Sequence, residues 1–185
     1  MDWCYQTQVS CESHCKGPDR WIEVNADCGK NRQSPINIVT KKTKLDERLT
    51  PFKFTGYQTV FDSTMKNNGH SVQVSIPITA TVSGGNLGET YKAVQFHLHW
   101  GTNGGPGSEH TVDGEQYPME VRTTPYLRGF STLKFHDGKP MVGTFRPVQP
   151  RNGRVVYRSS GAAVAASAVL ILACISAALG LSRPH

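Results

Sequence analysis

The stretch Ala93–Gly101, AVQFHLHWG, decides how the rest of the chain is read. Apolar and polar residues alternate through it, which is the period of a strand. Val94, Phe96, Leu98 and Trp100 fall on one face; Gln95, His97 and His99 fall on the other. Side chains two apart on a strand project the same way, so the two imidazoles stand side by side. The wholly apolar face opposite them predicts a central core strand. Gln95 shares the histidine face, where its side-chain oxygen can accept a ring N–H and fix a ligand's tautomer. Imidazole is a common zinc ligand, and a catalytic zinc uses three protein ligands and one open position. Spacing alone therefore supplies two ligands and leaves one missing.

Working outward, NNGH at Asn67–His70 is a turn signal, because Asn-Gly tolerates positive φ. The run SVQVSIPITATVSGG that follows alternates, with Val72, Val74, Ile76, Ile78 and Val82 on one face. Pro77 interrupts it and predicts an edge or a bulge. After the histidine strand, GTNGGPGSEHTVDG is a glycine-rich loop leading to a short strand near Glu109–Val112. SPINIV at Ser34–Val39 reads as a short edge strand, and residues 1–35 as irregular. Nothing before the C-terminal tail has a helical period, so the soluble part is expected to be mainly β.

The chain has 185 residues, the length of one ordinary domain. Gly161–Leu181 carries no charge. The remaining ~160 residues suffice to bury roughly 70% of their unfolded surface. Formal net charge is +6, with Lys41, Lys42 and Lys44 in one cluster and Arg146, Arg151, Arg154 and Arg158 in another. Asp46 and Glu47 closely follow the lysines, and no basic face with interleaved aromatics stands out. The charge reads as solvated surface rather than a nucleic-acid interface. The arginines nearest the tail are suited to anionic lipid headgroups.

Cys4, Cys11, Cys15 and Cys28 crowd the N-terminal segment without a CxxC pair, and Cys174 lies in the tail. An oxidised N-terminal segment and a secreted context fit that pattern better than a zinc ribbon. Spacing does not give the connectivity. The small residues Ser159, Ser160 and Gly161 precede a spacer and then AVLILACISAALGL. That order describes a GPI-attachment signal, with a membrane span as the alternative. The opening DWCYQTQVSC shows no basic or apolar signal region, so no secretory leader is visible in this sequence.

QFHLHWG, GSEHTVDGE, NNGHSV and RQSPINIV together resemble the α-class carbonic anhydrases. WCYQ and the apolar tail are similar to the GPI-anchored, extracellular branch of that family. The likeness runs from about Trp3 to Glu120 and resumes weakly from Phe130 to Arg154 with FRPVQPRNGR. The resemblance implies part of a central twisted β-sheet over residues 1–158, followed by an apolar helix or GPI signal over 159–185. It implies reversible zinc-dependent hydration of carbon dioxide to bicarbonate and a proton. The expected location is the extracellular face of the plasma membrane, with the membrane met through the tail and no nucleic-acid partner. His97 and His99 then correspond to zinc ligands, with Gln95 and Glu120 around them. His70 corresponds to the proton shuttle, Tyr5 to an active-site tyrosine, and Glu109 to the acid that orients a gatekeeping threonine. Thr123, in TTP, corresponds to that threonine. Cys4 with Cys15 is the disulfide the resemblance implies; Cys11 and Cys28 either pair with each other or stay free.

The departures are as specific as the likeness. The family's third zinc histidine falls where this chain has Arg122, and arginine has no lone pair to offer a metal. A long middle segment of the family is absent. His110 resembles a structural histidine, and His136 lies in the part similar to the family's closing region. Neither is expected to replace the missing ligand. The alternative expectation is therefore a membrane-anchored isoform with impaired or no catalysis. Missing strands also predict open sheet edges and uncovered apolar faces.

Overall fold

The computed structural model describes residues 2–121 and 132–160. Arg122, Thr123 and the tail from residue 161 lie outside the described residues, as does any helix expected there. Among the described residues, no helix is long and apolar enough to cross a membrane.

The N-terminal segment is a series of 3-10 turns around one short helix, α1 (Trp21–Val24). It is tied down by a Cys4–Cys15 disulfide and by backbone bonds between Cys4 and Lys16 and between Lys16 and Asp2. Cys11 and Cys28 are free thiols. The strands follow in chain order: β1 (Asn37–Ile38), β2 (Lys44–Leu45), β3 (Phe52–Thr55), β4 (Met65–Asn67), β5 (Val72–Ser75) and β6 (Thr81–Gly84). Then come β7 (Tyr91–Lys92), β8 (Gln95–Trp100), β9 (Thr111–Val112), β10 (Glu115–Gln116), β11 (Met119–Val121) and β12 (Tyr157–Arg158). The described chain is mainly β.

The sheet that matters for the site has the order β11-β8-β5-β4 and is antiparallel throughout. The histidine strand β8 is its longest member and lies inside it, with Glu120 of β11 opposite His99 and Gln73 of β5 opposite His97. A second sheet, β3-β6-β7, is also antiparallel. Smaller pairings join β1 to β9, β9 to β10, and β2 to β12.

The long alternating run beginning at Ser71 is two strands rather than one. Pro77 lacks the N–H that a ladder needs, and its carbonyl accepts instead from Ala80, closing a turn. Val72 is buried, while Ile78 projects into solvent. β5 and β6 then enter different sheets.

The core is Tyr5, Val72, Leu98, Trp100, Phe135 and Met141, with Trp3, Trp21, Val74, Phe96, Met119 and Leu133 packed on it. It joins the first residues of the chain, the centre of the sheet and the segment after residue 132. That last segment is locked on by side-chain bonds. Trp100 donates its backbone N–H to Thr144 Oγ1 and its indole N–H to the Met141 carbonyl. The apolar face of β8 is only partly core: Leu98 and Trp100 are buried, but Val94 is exposed.

Candidate active site

The strand pleat sets His97 and His99 on one face, with ring centroids 5.0 Å apart. Each ring is oriented through Nδ1. His97 Nδ1 lies 3.3 Å from Gln95 Oε1. His99, which is buried, has Nδ1 against the backbone carbonyl of Thr144. A carbonyl only accepts, so His99 Nδ1 carries the proton and Nε2 keeps the lone pair in the neutral ring. The amide oxygen of Gln95 sets the same tautomer for His97.

Glu109 approaches from the loop after β8. Its Oε1 accepts the backbone N–H of Arg146, and its Oε2 lies 3.4 Å from His99 Nε2. A carboxylate facing a lone-pair nitrogen is unfavourable unless positive charge lies between or beside them.

Glu120, opposite His99 on β11, accepts the backbone N–H groups of Glu109 and His110 and lies 3.0 Å from His110 Nδ1. Burial pushes its carboxyl up, but the bonds from His110 and Glu109 outweigh it and hold the group below the ordinary carboxylate range. Glu120 thus fixes the loop that presents Glu109.

His70 follows the Asn67–Gly69 turn, where Gly69 takes φ +88 and Asn67 and Asn68 side chains cap the backbone. Its ring stacks on Trp3 with centroids 3.6 Å apart and planes at 4°. Tyr5 stands edge-on to it at 6.4 Å, and His136 lies 6.2 Å away. Burial, and then the charge of His136, lower the His70 pKa from its ordinary value. Tyr5 is buried among the aromatics, and burial with the nearby Glu109 charge raises its pKa. It therefore stays protonated.

The structure brings Gln95, His97, His99, Glu109 and Glu120 to one region of β8 and its neighbours, and places Tyr5 beside His70. Thr123 and Arg122 lie outside the described residues. Sequence reasoning missed Thr144, Trp3 and the backbone of Arg146. Their partners are 45, 67 and 37 residues away, so no local pattern marks them.

A model of the eukaryotic-type carbonic anhydrase family matches residues 16–127, more than half of the chain. The chain belongs to that family. It is 49% identical to carbonic anhydrase 4 of Rattus norvegicus over 120 residues, which is 64% of this chain and 38% of the rat protein. Carbonic anhydrase 4 of Oryctolagus cuniculus is 49% identical over 121 residues, 65% of this chain and 38% of the rabbit protein. Carbonic anhydrase 1 of Mus musculus is 32% identical over 159 residues, 82% of this chain and 58% of that protein. The chain thus spans between about two fifths and three fifths of the length of these relatives.

Among the described residues, no group of three His, Cys, Asp or Glu side chains is placed to hold a metal ion. Arg122, immediately after β11, supplies no lone pair. The two imidazoles are each oriented through Nδ1, and no third nitrogen joins them among the described residues.

Proposed function

We propose that the chain carries the site of a zinc-dependent carbonic anhydrase, directed at carbon dioxide and bicarbonate. The proposed setting is the outer face of the plasma membrane, with a shortened catalytic domain over 1–158 and an attachment signal or span over 159–185. The observation that carries this reading is the paired imidazoles of His97 and His99, each set through Nδ1 so that Nε2 points away from its anchor. Family membership supports the substrate class. The uncharged residues after Gly161, preceded by small residues, support the membrane setting.

In this reading His97 and His99 would hold zinc, which when bound would supply the activation of a water molecule. The protein residues have separate tasks. Gln95 and the Thr144 carbonyl orient the imidazoles. Glu120 holds the loop bearing Glu109. His70 is half-buried on Trp3 and exchanges protons between the site and solvent, while Tyr5 packs beside it. Thr123 is proposed as the residue oriented by Glu109.

A second reading has its own observation. With two imidazoles and Arg122 in place of the third, the coordination set is incomplete, and catalysis is impaired. We take this form as the one the donor set supports best: a carbonic anhydrase site that holds zinc loosely and turns over slowly. Carbon dioxide hydration by the full chain in detergent with added zinc tests it. Sulfonamide-sensitive turnover far below that of a complete enzyme is expected. Full turnover would remove the impaired reading, and turnover unaffected by His97→Ala would remove the site.

A further inference from the structure

The β3-β6-β7 sheet has an apolar face that nothing in the described chain covers. The register puts Phe54, Val82 and Tyr91 in one row, and Phe52 extends the same face along β3. Lys53, Thr55, Thr81, Ser83 and Lys92 make the opposite face. Phe52 is 56% exposed, Phe54 54% and Tyr91 50%. Phe52 and Phe54 contact each other, and Phe54 meets Tyr57 edge-on at 5.3 Å. A contiguous aromatic surface of this kind marks a contact with something apolar.

Its position says what the contact is. The Phe52 ring lies over Gly85 in the β6–β7 turn, and the Gly85 N–H bonds to Thr50 Oγ1. Arg48 and Thr50 line a groove with that turn, together with Gly84 and Thr90. Arg48 is also within electrostatic reach of Tyr157 on β12. β12 in turn pairs with β2, placing Tyr157 beside Lys44 and Arg158 beside Leu45. Leu45 and Tyr157 are exposed as well. The uncharged tail begins three residues beyond β12, at Gly161. The adjoining β2–β12 pair carries Lys44 and Arg158, Arg48 lines the groove beside the aromatics, and Asp46 is occupied by a two-pronged pair to Arg48. Aromatic rings with a polar edge, framed by cations and set beside an apolar anchor, suit the headgroup layer of a bilayer.

We propose that the surface formed by β2, β12 and the β3-β6-β7 sheet rests on the phospholipid headgroups of the membrane that holds the tail. Phe52, Phe54 and Tyr91 enter the boundary between headgroup and acyl chain, and Lys44 and Arg158 meet lipid phosphates. This rests on the membrane-attachment reading above.

Hydrogen exchange on the full chain tests it. The chain is compared in detergent micelles, on phosphatidylcholine vesicles and on vesicles that include phosphatidylserine. Amides of residues 44–58 and 83–92 are expected to exchange about tenfold more slowly on vesicles than in micelles, most on the anionic ones. The triple variant Phe52→Ser, Phe54→Ser, Tyr91→Ser, which alters only exposed side chains, is expected to lose that protection. On the unprocessed chain, which keeps its tail, protection of residues 161–181 reports attachment separately. Tail protection without patch protection overturns the inference and leaves attachment standing. A chain that fails to float with vesicles overturns both. Patch protection that appears in micelles and rises with protein concentration identifies a second copy as the occupant, and also overturns it.

Discussion

His99 shows how much of a site one residue can hold when its partners are fixed. Its ring is buried, with Nδ1 bound to the Thr144 carbonyl and Nε2 facing Glu109. The pairing with His97 was legible in the strand period alone. The anchor at Thr144 was not, because it comes from a segment 45 residues on that joins the site only in the folded chain. His70 carries a pH prediction at this scale. Its pKa is lowered by burial and then by His136, so the unfolded chain takes up the proton more readily than the folded one. Stability from this group is present above the ordinary histidine pKa of about 6.5 and is lost as pH falls through the folded value. In an NMR titration, His70 is expected below that ordinary value, and His136→Ala is expected to raise it. No change in that variant would show that His136 exerts no influence on the ring.

At the scale of elements, β8 owes its interior position to β5 and β11 on either side and to the segment after residue 132 packed behind it. Thr144 is fully buried and gives Trp100 its backbone partner. Thr144→Val removes that hydrogen bond inside the core, and a loss of about 1–3 kcal/mol is expected in urea unfolding. The Cys4–Cys15 disulfide closes an 11-residue separation in a segment otherwise made of turns. Removing it with Cys4→Ser and Cys15→Ser is expected to cost about 2–4 kcal/mol by the same measurement. Sequence showed the strands around the histidines, because alternation survives in any half-buried strand. It read β5 and β6 as one run interrupted at Pro77, since Ile76, Ile78 and Val82 keep the alternation across what is a turn. It also showed nothing of the clamp made by Arg146, whose guanidinium bonds Gln33, Ser34 and Cys28 and lies 5.2 Å from the Trp21 ring. Arg146→Met is expected to speed amide exchange across residues 21–35 by about tenfold, because it leaves those carbonyls without their donor.

At the scale of the molecule, the chain belongs to the carbonic anhydrase family and carries a histidine pair, a histidine stacked on Trp3 and an acid network, with no three-residue metal-binding group among the described residues. The expectation that Arg122 replaces a third imidazole comes from the sequence alone, since that residue lies outside the described residues. The exposed aromatic face was legible only as a general expectation of uncovered surface, since which strands share a face depends on register. The most direct measurement of the central claim is zinc affinity and stoichiometry, by competition with a chromophoric chelator on the full chain in detergent. Weak one-to-one binding is expected, lost in His99→Ala and strengthened at least tenfold in Arg122→His, where a third imidazole follows Glu120 by two residues. Tight zinc binding that survives His99→Ala would contradict it.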